Sequence, residues 1–356
     1  MSLQKKLVKE KHKVKKIVHI SPTVPPSING LGDFCTILAE GLNSLQTFNN
    51  IFLICENNYD NSGKTNIKKF NRRNFFTELV QIKPEIIILH YVGYAYHSKG
   101  LPFYLVNQLA NITETIQCKL IIFFHELSSS SRNPLTLPFY TSFLQKRIVR
   151  ELSKSASATF TNCTVYSREL IKLTSTQNNI CTGIFSNIPD LLYQEEYKKD
   201  DRSIVVFGTI KNREAVYNNP LFKNVLQRLR IIKIFDIGPG KINFRYPGIE
   251  FLPKGSLIPE DVALYLNMST FGAIDYPSSL LGKSGIFAAY AAFGIISINF
   301  NNSDKSLHDD LVKEKNYFDC ETNFSSFNLQ IIRREIRNWY EKRSSETITK
   351  TIFNYI

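Results

Sequence analysis

The 356-residue sequence has no apolar run that approaches the ~18–20 residues a membrane-spanning helix needs. Its longest apolar runs, Ile86–Leu89 and Leu120–Phe124, have the length of buried strands. The basic N-terminal stretch is not followed by the apolar segment of a secretory signal. The sequence therefore predicts neither a membrane span nor a signal peptide.

Cysteine is sparse, and no two cysteines have the C-x-x-C spacing that marks a zinc site or a redox pair. This scatter also argues against a disulfide framework and suits a reducing cytoplasm, which is the location we expect. Most of these side chains are expected to be small buried apolar groups. The six are Cys35, Cys55, Cys118, Cys163, Cys181 and Cys320.

Acidic residues are too few to balance the basic ones, since 44 Lys and Arg face 31 Asp and Glu, for a net charge of +13. This charge predicts an acidic partner: nucleic acid, an anionic membrane surface or a phosphorylated substrate. No nucleic-acid motif is present, so we expect no nucleic acid. The N-terminal lysines are either a solvated tail or a means of peripheral association with an anionic inner membrane face: Lys5, Lys6, Lys9, Lys11, Lys13, Lys15 and Lys16.

Short apolar runs alternate with segments of helical spacing, break in the polar stretch at 190–202, and then begin again. Runs that are apolar throughout are typical of parallel strands covered on both faces. We expect an α/β fold with two Rossmann-like doubly wound domains, residues 1–192 and 193–356, facing each other across a cleft. The expected strands and helices include Ile17–Ile20, Asp33–Leu45, Ile51–Cys55, Glu85–Leu89, Lys119–Phe124, Ser203–Phe207, Leu221–Arg230, Ile231–Ile237, Pro259–Leu266 and Ile295–Phe300.

A glycine-rich segment with Gly30, Leu31 and Gly32 follows the first strand. It is not a dinucleotide-binding fingerprint, because Cys35 occupies the place of the third glycine of G-x-G-x-x-G and the loop is too long. Glycines before a helix let backbone N–H groups approach a ligand closely. The segment is either a substrate loop of the cleft or a plain strand-to-helix connection.

Two polar loops follow other strands of the first half. His125 and Glu126 follow the run that ends at Phe124, where a histidine can bond a sugar hydroxyl or a developing charge. A structural histidine is the alternative. The other loop holds Tyr91, Tyr94 and His97, which can stack on a sugar or pack on their own domain.

In the second half, a strand is predicted to end at Gly208 and Thr209, just before two cations. Lys211 and Arg213 can clamp a diphosphate, although a solvated pair is the alternative.

The segment Gly282–Gly285 opens an alanine-rich helix. The N–H groups of Lys283, Ser284 and Gly285, together with the helix dipole, predict an anion site there. It is not a Walker A loop, because no glycine stands five residues before Gly282.

Taken together, these motifs resemble those of GT-B glycosyltransferases. They are Gly30-Leu31-Gly32-Asp33, His125-Glu126, Phe207-Gly208-Thr209 and the helix that ends at Gly294. The chain is most similar to the retaining group that includes sucrose synthase and bacterial mannosyltransferases. The resemblance covers nearly the whole chain. It implies that the donor nucleotide binds the second domain, the acceptor binds mainly the first, and the last helix crosses back to the first domain.

The sequence departs from that family at its pair of glutamates, since no carboxylate occurs from Tyr276 through Gly294 and Ala289 stands where the second is expected. Asp275 is the nearest substitute for the first. The resemblance implies a nucleotide-sugar donor, UDP-sugar favoured, a saccharide or lipid-linked acceptor, and retention. With Lys and Arg at the diphosphate and no clustered Asp-x-Asp, we expect no metal and no cofactor.

Three other functions fit the same residues. A nucleotide-sugar epimerase would share the fold and the anion site but need no acceptor. A non-catalytic basic binding protein would present a continuous positive stripe. A degenerate homologue of the enzymes would explain the missing glutamate.

Overall fold

The computed structural model describes residues 14–27, 29–55, 59, 66–129, 135–175, 179–195, 199–301, 306, 308–324 and 327–356. The predictions for Lys5, Lys6, Lys9, Lys11 and Lys13 lie outside these residues. Within the described ranges, no helix is long and apolar enough to cross a membrane.

The first half of the chain forms a seven-stranded sheet in which all pairings are parallel, with the strand order β3-β2-β1-β4-β5-β6-β7. Its central strands β1, β4 and β5 are buried almost throughout, as continuous apolar runs require. The strands are β1 Lys16–Ser21, β2 Asn49–Ile54, β3 Ile67–Lys69, β4 Ile86–Tyr91, β5 Lys119–Phe124, β6 Ala158–Thr161 and β7 Asn179–Cys181.

Helices cover both faces of this sheet. Helix α1 begins at Gly30, three residues before the predicted start, because the Asn29 side chain caps it by accepting a hydrogen bond from Leu31 N at 2.9 Å. The helices are α1 Gly30–Leu45, α2 Phe75–Ile82, α3 Gly93–Tyr96, α4 Phe103–Ile116, α5 Leu137–Ser155 and α6 Thr164–Thr174.

The second half forms a six-stranded parallel sheet with the order β10-β9-β8-β11-β12-β13. Its strands are β8 Asp200–Phe207, β9 Lys233–Ile237, β10 Glu250–Gly255, β11 Ser269–Ile274, β12 Ile296–Asn299 and β13 Phe318–Asp319. The helices that cover it are α7 Ile210–Tyr217, α8 Phe222–Arg228, α9 Pro259–Met268, α10 Gly285–Ala292 and α11 Leu329–Glu341, and a 3₁₀ helix, Ser278–Lys283, precedes α10.

When the strands of each sheet are numbered in chain order, the first sheet runs 3-2-1-4-5-6-7 and the second 3-2-1-4-5-6. The strand order therefore reverses between β1 and β4 and between β8 and β11. Open α/β sheets bind ligands at this reversal, beyond the carboxyl ends of the strands. The predicted fold class, two doubly wound Rossmann-like domains, is confirmed. Short edge strands such as β3 and β13 were not predicted, because two or three residues carry no readable period.

The last helix, α12 Ser345–Phe353, packs on α1 of the first sheet. Ile348 and Ile352 are buried in the cluster that contains Phe34, Leu38 and Leu42. The close approach requires Gly41, since a Cβ there would lie 2.6 Å from Thr349 Oγ1. The end of the chain therefore helps to build the core of its first half.

We expect Ile352→Ala to lower the free energy of unfolding by about 2–5 kcal/mol, because it leaves a cavity between α12 and α1. Urea unfolding measures the loss. Ile331→Ala, at a 58% exposed position on α11, is the matched control and should change stability by less than about 0.5 kcal/mol. Equal effects of the two changes would contradict the packing of α12.

Candidate functional site

The ends of β8 and β9 meet in the middle of the second sheet. Gly208 and Gly238 have φ angles of 133° and 143°, and a Cβ on Gly238 would lie 2.0 Å from Gly208 O. Thr209 caps α7 by accepting from Asn212 N at 3.5 Å. These glycines let two loops approach each other beside the strand-order reversal.

Arg213 is buried beneath these loops rather than exposed at their surface. Its guanidinium pairs with Asp236 at 2.5 Å, donates from Nε to Gly208 O at 3.1 Å, and also donates to Pro239 O. These bonds occupy the guanidinium, so the geometry does not support the predicted role of Arg213 as a diphosphate ligand. It instead positions the β8–α7 loop, while Lys211 on the same helix is exposed.

The N-terminus of α10 lies beside this loop, since a Cβ on Gly208 would be 2.5 Å from the Ile286 side chain. Ser284 caps α10 by accepting from Phe287 N at 3.3 Å. The Ser284 N–H, predicted to bind the anion, is already used, because it donates to Leu281 O at 3.0 Å. The N–H groups of Gly285 and Ile286 have no hydrogen-bond acceptor within the helix, because they belong to its first turn.

Two buried polar side chains hold α10 and the preceding loop in place. Tyr290 OH lies 3.1 Å from both Phe207 N and Val205 O, which joins α10 to β8. Asn299 bonds both the N–H and the carbonyl of Tyr276, at 3.1 and 2.8 Å. Asp275, predicted to bind the donor, accepts from Asn301 Nδ2 at 2.9 Å and is half-buried.

Lys283 reaches from the second domain to the first. Its Nζ donates to Tyr166 OH at 2.9 Å and lies 4.5 Å from the centre of the Tyr166 ring. The loop that carries it is pressed against Asp309, since a Cβ on Gly282 would lie 2.6 Å from that side chain. Asp309 Oδ1 accepts from Thr164 N, at the start of α6, at 2.6 Å.

His125 and Glu126 lie at the end of β5, on the side of the first domain that faces Lys283. His125 is 6% exposed, stacks on Phe123, and has its pKa lowered to about 3, first by burial and then by the positive charge of Lys283. Glu126 is exposed, and its charge helps to raise the pKa of Tyr166 and of Tyr276, after burial. These groups therefore face one cleft.

Three further residues were predicted to bind the acceptor, and the structure buries one of them and exposes the other two. Tyr91 is fully buried and packs edge-on against Phe124, so the packing alternative holds for it. Tyr94 is 41% exposed in α3, and His97 is exposed but uses Nδ1 to accept from Lys99 N at 3.2 Å.

Gly30, Leu31 and Gly32 form the first turn of α1 rather than a loop. Gly32 is required by a close backbone approach, because its Cβ would lie 2.9 Å from Thr23 O. The segment therefore packs on its own domain at Gly32, as the plain-connection alternative expects.

The cleft combines two kinds of chemistry. On the second domain, exposed Lys211, the first turn of α10 and Lys283 offer positive charge and N–H donors for an anion. On the first, neutral His125 and exposed Glu126 offer a ring nitrogen and a negative charge. The arrangement suits a ligand with a phosphorylated part and an uncharged polar part.

No family model and no curated protein matches the sequence, but solved structures do match the fold. HepE from Anabaena, in complex with UDP and glucose, matches with a TM-score of 0.61 over 95% of this chain and 98% of its own, at 12% identity. The fold is GT-B. A UDP-forming α,α-trehalose-phosphate synthase from Burkholderia xenovorans matches with a TM-score of 0.61 over 96% and 98%, at 9% identity.

A putative UDP-N-acetylglucosamine 2-epimerase from Listeria monocytogenes also matches, with a TM-score of 0.53 over 95% of this chain and 91% of its own, at 12% identity. At these identities the likeness shows the GT-B fold alone. The resemblance drawn from the motifs is confirmed at that level, since other matching structures are described as an α-glucosyltransferase and as a glycosyltransferase from Rickettsia africae.

Sequence reasoning missed three residues of the GT-B cleft, namely Tyr166, Tyr276 and Asp309. Tyr166 lies on α6, Tyr276 precedes the 3₁₀ helix and Asp309 follows β12. No local spacing links them, because Tyr166 belongs to the first domain and approaches the other two only where the domains meet. The one available signal was Gly282, because a glycine in a tight turn indicates a close neighbour.

We expect Arg213→Met to lower the free energy of unfolding by about 3–5 kcal/mol, because it leaves Asp236 charged and buried. Chemical unfolding measures this loss. Lys211→Met, two residues away on the exposed face of α7, should stay within about 0.5 kcal/mol of the unchanged protein. Similar stabilities for the two variants would show that Arg213 does not hold the loop.

Proposed function

We propose that this chain is a glycosyltransferase that moves a sugar from a nucleoside-diphosphate sugar, UDP-sugar favoured, to a saccharide or lipid-linked saccharide. The observation that carries the proposal is the cleft in which Lys283, just before α10, faces His125 and Glu126, while the β8–α7 loop lies beside the start of α10. The GT-B structures it resembles support it, since HepE is described in complex with UDP and with UDP-glucose.

The donor diphosphate would lie between α7 and α10. Gly208 and Thr209 would border this space, and the Gly285 N–H, at the start of α10, would bond the diphosphate with the help of the helix dipole. Lys211 would add a positive charge from the exposed side of α7, and Lys283 would add another from the 3₁₀ helix. Asp275, half-buried after β11, would bond the nucleoside or the sugar.

Catalysis in this proposal is mainly electrostatic. Breaking the sugar–phosphate bond leaves negative charge on the diphosphate, so the cations and N–H donors stabilise the transition state more than the ground state. The sugar develops positive charge at the same time. The Glu126 carboxylate, on the opposite side of the cleft from Lys283, would stabilise that charge.

His125 would act as a neutral hydrogen-bonding group rather than as an acid. Its pKa of about 3 keeps the ring uncharged at neutral pH. Nε2 faces His90 Nδ1 at 3.5 Å, which leaves Nδ1 for a sugar hydroxyl. Retention of configuration rests on the resemblance. Because protein cations already surround the diphosphate, we propose that no metal is needed there.

An epimerase is the second candidate, favoured by one observation. The Listeria protein and an S. aureus MnaA structure with UDP have the same GT-B fold. Such an enzyme would convert a nucleotide sugar without any acceptor.

Titration with UDP, GDP, ADP and their sugar conjugates, followed by calorimetry without added metal, tests the donor site. One nucleoside diphosphate should bind saturably. Lys211→Met and Lys283→Met should each weaken binding about tenfold or more, because a hydrogen bond to a charged group contributes about 1.5–3 kcal/mol. Turnover with a saccharide acceptor should fall at least as far.

Lys223→Met is the matched control, since Lys223 is an exposed lysine of α8 that lies over the Tyr246 ring. Its nucleotide affinity should not change. If no nucleoside diphosphate binds, the glycosyltransferase proposal is wrong. Conversion of the nucleotide sugar in the absence of an acceptor would favour the epimerase.

The acceptor side also carries an unusual apolar surface. Leu135, two residues before α5, is 92% exposed, and the first turns of α5 expose Tyr140 at 65% and Phe143 at 73%. Exposed Arg147 and Arg150 follow on the same helix. A helix with exposed aromatic and basic residues suits the interface of an anionic membrane, so we propose a lipid-linked acceptor reached there.

Gln145 connects this helix to the loops that border the cleft. Its side chain accepts from Ser129 N at 2.7 Å and donates to Lys99 O at 3.4 Å. Gln145 therefore fixes α5 to Ser129, three residues after Glu126 in the chain. A membrane bound at α5 would place a lipid-linked saccharide on the acceptor side.

We expect the double change Tyr140→Ser and Phe143→Ser to abolish most co-sedimentation with phosphatidylglycerol vesicles, because the exposed apolar area is lost. Ile331→Ser, exposed to 58% on the second domain, is the control and should bind unchanged. Unchanged binding of the double variant would remove α5 from the membrane contact.

A further inference from the structure

A row of four polar side chains crosses the first sheet beneath the cleft. They are Asn50, His19, His90 and His125, on the α1 side of the sheet and nearly free of solvent. Asn50 Oδ1 lies 3.0 Å from His19 Nε2, and His90 Nδ1 lies 3.5 Å from His125 Nε2. The His19 and His90 rings are 5.8 Å apart at 18°, so the row has a gap at its centre.

Two buried ring nitrogens border this gap without a hydrogen-bond partner among the described residues. They are His19 Nδ1 and His90 Nε2. Cys35 of α1 is buried at the same place, and its Sγ and one ring nitrogen of each histidine lie within 4.8 Å of one another. An unsatisfied buried polar atom costs about 1–3 kcal/mol, so two at one place need a physical reason.

The hydrogen bonds of Asn50 determine which nitrogen of His19 carries a lone pair. Asn50 Nδ2 donates to Ala39 O at 3.4 Å, so Oδ1 is the atom that faces His19. His19 Nε2 must then be the protonated nitrogen, which leaves a lone pair on Nδ1. Either ring can be the donor in the 3.5 Å contact between His90 Nδ1 and His125 Nε2, and in the tautomer with His90 Nδ1–H the lone pair of His90 lies on Nε2.

In that tautomer His19 Nδ1 and His90 Nε2 both carry lone pairs, which cannot bond each other but can both bind a cation. We propose that His19, His90 and Cys35 form a buried site for a d¹⁰ cation, with zinc as the representative. Two imidazoles and a thiolate are ligands that zinc and copper(I) prefer. A metal-bound histidine typically donates its other ring N–H to an outer acceptor, as His19 does to Asn50 and His90 does to His125 in this tautomer.

The geometry requires only a small adjustment. Zinc bonds of about 2.0–2.1 Å to nitrogen and 2.3 Å to sulfur place tetrahedral ligand atoms roughly 3.3–3.6 Å apart. The ligand atoms, which now lie within 4.8 Å of one another, therefore have to approach by up to about 1.2–1.5 Å. Binding would release the Cys35 thiol proton to solvent, and the site would join β1, β4 and α1.

This proposal does not depend on the proposed function, and the whole chain without an affinity tag tests it. After incubation with zinc and dialysis against a weak chelator, elemental analysis should find stoichiometric zinc, and the thermal unfolding midpoint should rise. Cobalt(II) added to the metal-free protein should give a thiolate-to-cobalt charge-transfer band. This measurement needs no variant.

Cys35→Ser should lose the charge-transfer band and the thermal shift, with far-UV circular dichroism checking that it folds. Cys320→Ser, at a buried cysteine of the second domain, is the matched control and should keep both. Absence of retained zinc, a cobalt spectrum without the thiolate band, or binding unchanged in Cys35→Ser would each overturn the proposal.

Discussion

The relation between the two sheets depends on the bonds of Asp309. Its carboxylate accepts from Thr164 N at the start of α6, and its carbonyl accepts from Trp339 Nε1 and Arg343 Nη2 at 2.9 and 2.7 Å. It adopts a left-handed φ of 62°. Gly282 must lack a side chain for Asp309 to fit. One residue thus joins the first domain, α11 and the loop before α10.

This contact places unlike charges on opposite sides of one cleft. Lys283 follows Gly282 and reaches Tyr166, while Glu126 acts on Tyr166 and Tyr276 from the end of β5. Positive groups on the second domain and a carboxylate on the first match the charges that form when a sugar leaves a diphosphate. The charge distribution, more than any single motif, supports the proposed transfer.

Several residues whose type suggests binding prove to be structural. Arg213 balances Asp236 in the interior, and Tyr91 fills the core beside Phe124. Residue type alone could not separate Arg213 from Lys211, two positions away, because burial depends on which face of α7 meets the sheet. Ser284 is similar, since its N–H is used by a 3₁₀ turn that no sequence period reveals.

Local patterns sufficed to predict the two parallel sheets, because strands that are apolar throughout, such as Leu120–Phe124, must be covered on both faces. They also predicted the strand end at Gly208, where two backbones approach closely. Only the tertiary structure decided which polar side chains lie close to one another. Tyr166 meets Lys283 across 117 positions, and His19 meets His90 across neighbouring strands, since such encounters depend on strand order and domain contact rather than on spacing.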